Sequence, residues 1–126
     1  MAGKIIADTL ETGAGADIAT SYVVNGSAKA WVNFDGTGTI ASRDSLNVGS
    51  LTDNGTGDYT ITLSSAMNNS DYAFMKSPST TSTGNYDSYP LTGILTTTTG
   101  RIAQCRNAGL NADLNQVCLS IHGDLA

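Results

Sequence analysis

His122 is the only histidine, and it stands close to the C-terminal end of the chain. Ser and Asp are plentiful, so a Ser-His-Asp arrangement is formally available. A histidine closing a strand is the simpler reading. No GxSxG elbow, P-loop or HExxH pair occurs in the sequence. Cys105 and Cys118 together with one histidine fall short of a mononuclear zinc set. The acidic residues are one Glu and ten Asp, and the contexts Asp35-Gly36, Asp53-Asn54-Gly55 and Gly57-Asp58 read as turns. Asp in that company usually bonds its own local backbone. Asp53-Asn54-Gly55-Thr56-Gly57-Asp58 has carboxylates separated by glycine, as a calcium loop does. It lacks EF-hand spacing and the closing Glu, and a tight hairpin turn explains it more simply. Hydrolysis of a surface polysaccharide needs two carboxyls facing each other across a cleft, and the lone Glu11 lies near the N-terminus. The expectation is a protein that is not an enzyme, with no metal and no cofactor.

Two cysteines are too few for a disulfide framework. If residues 102–106 and 116–121 form a hairpin about Leu110 and Asn111, Cys105 and Cys118 come close together. The expectation is then a buried pair of free thiols; a disulfide formed after release into an oxidising medium is the alternative.

The elements that carry these residues follow from composition. Thr, Ser, Gly and Asn make up 43% of the 126 residues, and charged residues only 13%. These are turn and strand formers, so a helical protein is disfavoured. A 40% apolar content is enough for a folded domain. The net charge of −5 and six scattered Lys and Arg exclude a phosphate-binding stripe, hence no nucleic acid. No apolar run approaches a membrane span, and residues 1–12 lack the apolar block of a secretory leader. The expected place of synthesis is a cytoplasm.

Residues 1–20 read as an N-terminal arm: a strand over 4–10, then a Gly- and Ala-rich linker over 11–19. A lone strand is unstable by itself, so the arm must pair with something. Ile5, Ile6 and Leu10 are its candidate attachment residues. The body is expected over 21–126. It starts with the apolar run Tyr22-Val23-Val24. Residues 29–34 alternate, with Ala30, Val32 and Phe34 opposite Trp31 and Asn33. Asp35-Gly36 reads as a two-residue hairpin loop setting Val32 against Thr39 and Trp31 against Ile40. A second hairpin is expected with Asn54-Gly55 at its turn and Val48 against Ile61. Its second arm places Tyr59, Ile61 and Leu63 on one face. Further strands are expected over 72–76, 91–98, 101–106 and 116–122. About eight short strands read as an antiparallel β-sandwich or jelly roll. Residues 77–89 form a polar stretch of Ser, Thr, Gly and Asn carrying Tyr86 and Tyr89. That is the composition of an adaptable binding loop.

Residues 22–40, Tyr-Val-Val-Asn-Gly-Ser-Ala-Lys-Ala-Trp-Val-Asn-Phe-Asp-Gly-Thr-Gly-Thr-Ile, resemble a segment of virion proteins of tailed phages, marine ones especially. Arg43-Asp44-Ser45-Leu46-Asn47-Val48 and residues 51–60 continue the likeness. The opening residues 4–11 and the ending Ile121-His122-Gly123-Asp124-Leu125-Ala126 are similar to segments of such proteins too. The resemblance implies a β-rich structural or receptor-binding module of the virion, usually a homotrimer, carried on a fibre or spike. The chain differs from long tail fibres in having no shaft. The resemblance leaves two placements: a small tail-fibre tip, or a decoration (cement or head-fibre) protein on the capsid. A carbohydrate-binding module outside any virion is a further alternative. The partners implied are two more copies, other tail or capsid proteins and a host-surface glycan. Trp31, Phe34 and Phe74 are the candidate core and trimer residues. Tyr86 and Tyr89, with Asn85 and Asp87, are the candidate receptor contacts, because tyrosine rings stack on sugars.

Overall fold

The computed structural model describes residues 3, 5–79, 86–90, 95–106 and 110–126. The chain is mostly β, as its composition implies, and its sheets are antiparallel. Among the described residues are eleven strands and one helix, and nine of the strands follow residue 27. In the first body sheet, β3 (Ala28–Asp35) lies between β4 (Ala41–Leu46) and β11 (Gln116–His122), and β7 (Ala73–Ser79) flanks β11. In the second, β5 (Val48–Gly55) pairs with β6 (Asp58–Leu63) and β6 with β9 (Thr99–Arg106). Both β8 (Tyr86–Pro90) and the two-residue β10 (Leu110–Asn111) pair with β9.

The alternating runs do what their pattern dictates. Ala30, Val32 and Phe34 are buried from β3, and Trp31 and Asn33 are half-exposed on its other face. Tyr59, Ile61 and Leu63 are buried from β6, with Thr60 and Thr62 outside. These residues join Ile102, Val117, Leu119 and Ile121 in one cluster drawn from both sheets. Phe34 meets Tyr59 edge-on across it, with ring centroids 5.2 Å apart. This packing ties the sheets together, because burial of apolar surface is the main favourable term in folding.

Both expected hairpins form with different turns. Asp35 pairs with Ala41 and Trp31 with Leu46, so the first loop has five residues instead of two. The Asp35 carboxylate accepts from the Thr37 backbone and hydroxyl, and Gly36 is drawn inward to donate to the Leu114 carbonyl at 2.9 Å. Those bonds outweigh a tight Asp-Gly turn. In the second hairpin Gly55 faces Asp58, so Thr56 and Gly57 make the turn. Val48 pairs with Leu63, and Ile61 with Leu51. Gly55 and Gly57 take the left-handed conformations there, at φ of 130° and 67°. The Gly57 amide donates to Asp113 at 2.7 Å, which holds the turn against the 111–115 segment.

The expected hairpin of residues 102–106 with 116–121 does not form. β9 turns back only through β10, and β11 lies in the other sheet between β3 and β7. Cys105 and Cys118 therefore belong to different sheets. Cys118 is a half-buried free thiol. In its observed place β11 is paired on both sides along nearly its whole length, which a hairpin with β9 would forgo. Residues 95–98 form a bend, not the strand expected there, and 91–94 lie outside the described residues. The Thr96 hydroxyl accepts from the Thr98 and Thr99 amides.

Asn47 makes the corner at which the chain leaves β4 and enters β5. It is the only non-glycine among the described residues with positive φ, 54°. Its side-chain amide donates to the Ser65 carbonyl at 3.1 Å and accepts from the Ser65 amide at 2.7 Å. Asn tolerates this left-handed geometry better than other side chains. Asn47→Ala should therefore lower stability by about 1–3 kcal/mol, through strain and two lost hydrogen bonds. Asn47→Gly should lose less, because it removes only the bonds. Denaturant midpoints of the two variants check this, and equal losses would reject the strain.

A second tie crosses β6 and β9. Arg101 Nε donates to Asp58 Oδ1 at 2.7 Å, and Nη2 donates to Oδ2. This pairing holds the Asp58 carboxyl below its ordinary range, against an opposing push from burial. A lowered folded-state pKa stabilises fully above the unfolded value, about 3.9, and the contribution is lost as pH falls through the folded value. Stability should drop below about pH 4, and Asp58→Asn should flatten that drop while lowering stability at neutral pH. Denaturant midpoints from neutral to strongly acidic pH test it. A wild-type profile that Asp58→Asn leaves unchanged would exclude the pair as its source.

Candidate functional site

The N-terminal segment folds on itself first. β1 (Thr9–Glu11) pairs with β2 (Asp17–Ala19), Thr9 opposite Ala19 and Glu11 opposite Asp17. The expected 11–19 linker is thus the turn and return strand of a small hairpin. Thr12 starts the turn, its amide donating to the Ala16 carbonyl, and Gly15 closes it at a φ of 78°. The strand that needs a partner finds it within the arm. Thr20 extends the tie: its amide donates to the Asp8 carbonyl, and its hydroxyl bonds the carbonyls of Ala7 and Asp8.

Thr20 also begins α1 (Thr20–Gly26), so a helix follows the arm before the body's first strand. Tyr22-Val23-Val24 is a helical run, and Asn25-Gly26 ends it. No sequence sign marks this helix: Ala19 precedes it without a side-chain cap, and Ser27 follows it in an extended conformation. No residue of α1 is buried. Two side chains hold its C-terminal turn to the body. Lys29, largely buried, gives its ammonium to the carbonyls of Val24 and Ser27 and to the Ser27 hydroxyl. His122 Nδ1 donates to the Gly26 carbonyl at 3.3 Å, leaving Nε2 to accept from Ser120 Oγ at 3.0 Å. His122 does end a strand, and its ring joins that strand to the helix.

A groove of about 670 Å³ opens between α1 and the body. Val23 and Val24 form one wall, Leu46 and Leu125 the other, and Lys29, Asn47 and Ser65 contribute to it. A smaller hollow of about 370 Å³, bordered by Ile5, Ile6, Leu10 and Val24, adjoins it through Val24. Of the ten exposed large apolar residues among those described, seven lie on residues 5–24. Leu46 and Leu125 add two more from the groove, leaving Met75 elsewhere. Ile5 and Ile6 are 91% and 82% exposed. Exposed apolar residues gathered in this way make the arm and the groove the candidate interaction surface. The sequence points to Ile5, Ile6 and Leu10 of the arm for this role. It does not point to Leu46, Leu125 or the α1 valines, since only the fold brings them together.

The other candidate residues are dispersed. Phe34 is wholly buried by its own chain, so none of it is left for a three-fold axis. Phe74 is half-buried against the core and lies near Gly100. Trp31 is half-exposed on the outer face of β3. Tyr86, Asp87 and Tyr89 lie on β8, paired with Arg106, Cys105 and Ala103 of β9, so they belong to a strand and not to a loop. Asn85 lies outside the described residues. Asp53 accepts from the Gly55 amide, and Asp58 is engaged by Arg101, so each carboxylate of that loop serves local structure. Among the described residues no helix is long and apolar enough to cross a membrane. Comparison with known proteins finds no matching family model, no matching curated protein and no matching solved structure.

Proposed function

We propose that the chain is a structural virion protein of a tailed phage: a small homotrimeric β-sandwich module of the tail-fibre tip or receptor-binding kind. The observation that carries the reading is a gathering of apolar surface. Among the described residues, nine of the ten exposed large apolar side chains lie on the arm, α1 and the adjoining groove. A 126-residue chain that spends its apolar surface this way has a face built for assembly. The phage-like segment at residues 22–60 spans α1 and Leu46, two parts of that face. Low charge and the abundance of Thr, Ser, Gly and Asn suit a particle surface. In this reading the arm meets other copies and neighbouring tail or capsid proteins. The 77–89 stretch, with Tyr86 and Tyr89, binds a host-surface glycan.

The test is the copy number relative to the major capsid protein in purified particles, by quantitative mass spectrometry. A few trimers per particle is the expected result. Dozens to hundreds of copies would move the protein to the capsid as a decoration trimer and remove the receptor role. Absence from particles would overturn the reading.

A further inference from the structure

The exposed arm and the open groove have complementary chemistry, and a contact between them rests on reading the chain as a self-assembling module. Seven of the ten exposed large apolar residues among those described lie on residues 5–24, and Leu46 and Leu125 of the groove add two. Among the described residues, the two most exposed large apolar side chains are Ile5 and Ile6. Thr20 grips the carbonyls of Ala7 and Asp8, and the β1–β2 ladder continues that hold. Ile5 and Ile6 are therefore presented from a fixed base, bordering the smaller hollow and not the groove. The groove needs an uncharged occupant. Lys29, the cation among its lining residues, is already spent on backbone carbonyls and the Ser27 hydroxyl.

We propose that the groove between α1 and Leu46 receives the Ile5-Ile6 segment of a second copy of this chain. Donor and acceptor are different surfaces of one chain, so the contact is heterologous. It passes from copy to copy, and a small closed ring satisfies every arm and every groove.

Native mass spectrometry of the full chain with Ile5 and Ile6 both changed to Asp tests the donor. Both side chains are exposed, so the melting temperature measured at concentrations where both proteins are monomeric should hold. The protomer concentration needed for assembly should rise about a hundredfold or more. Single-cysteine variants test the acceptor, in a chain with Cys105→Ser and Cys118→Ser. Mixed Ile6→Cys and Leu46→Cys copies should cross-link to each other under oxidation, and neither should cross-link to itself. Self-cross-linking of Ile6→Cys would overturn the arm-to-groove contact in favour of a symmetric arm contact. Assembly unaffected by the two Asp changes would overturn this inference and leave the homo-oligomer standing. A monomeric wild type would overturn both.

Discussion

Gly36→Ala should lower the unfolding free energy by about 3 kcal/mol, at the upper end of what overpacking a core costs. A Cβ at Gly36 would lie 2.7 Å from Tyr59 Cζ and 3.1 Å from the Leu114 carbonyl oxygen, and closer still to the Tyr59 hydroxyl. None of these can withdraw. The Tyr59 ring is fully buried and held edge-on by Phe34. Its hydroxyl lies 2.9 Å from both the Gly36 carbonyl and Asp113 Oδ1, sharing its proton between them. Burial and the Asp113 carboxylate push the phenol well above its usual range, so it remains a donor. Gly36 itself is fixed through its amide to Leu114. Tyr59→Phe removes the nearest obstructing atom, so the double variant should lose less than the sum of the two single losses. Urea midpoints at one protomer concentration measure the cycle. Strict additivity would mean that the ring, and not the hydroxyl, blocks the alanine.

Phe34→Ala should cost about 3–5 kcal/mol, the range for a large buried aromatic whose site collapses only in part. Phe34 is fully enclosed, and the substitution also ends its edge-on contact with Tyr59. The loss should appear in unfolding of the protomer, while chains that remain folded assemble as before. Trp31→Ala, on the opposite face of the same strand, should cost much less. Denaturation together with native mass spectrometry separates the two effects. A folded Phe34→Ala protein that no longer assembles would return Phe34 to an interface role.

The strands of this chain are legible where the pattern is long and two-sided. In β6 apolar and polar residues alternate and burial follows residue by residue, and in β3 it does so from Ala30 to Asp35. The turns between strands are not legible. Asp35-Gly36 and Asn54-Gly55 are strong local signals for tight hairpins. At the first, Leu114 and Tyr59 claim Gly36 from far along the chain, and no local rule includes them. At the second, Asp113 holds Gly57 and shifts the turn by two residues. Tyr22-Val23-Val24 is ambiguous for another reason. A three-residue apolar run has no period, so strand and helix read alike. The exposed apolar face is half legible. Its isoleucines are visible as apolar residues in an otherwise Gly- and Ala-rich arm, but Leu46 and Leu125 are separated from them by long stretches of chain.

The pairing of β3 with β11 sets an order of events during synthesis. Residues 28–35 emerge well before their ladder partner, residues 116–122. Met67 waits as well, since it bridges to Leu125, and the Asn68 amide donates to the Asp124 carbonyl. Closing so long a loop delays completion of this sheet until residues 116–122 have left the ribosome. In the proposed contact, the donor residues Ile5 and Ile6 are made well before Leu125 completes the acceptor. A nascent chain can therefore offer an arm long before it can receive one. Under that contact, products that stop before residue 116 should enter an assembly only as terminators, capping a neighbour's groove and passing nothing on.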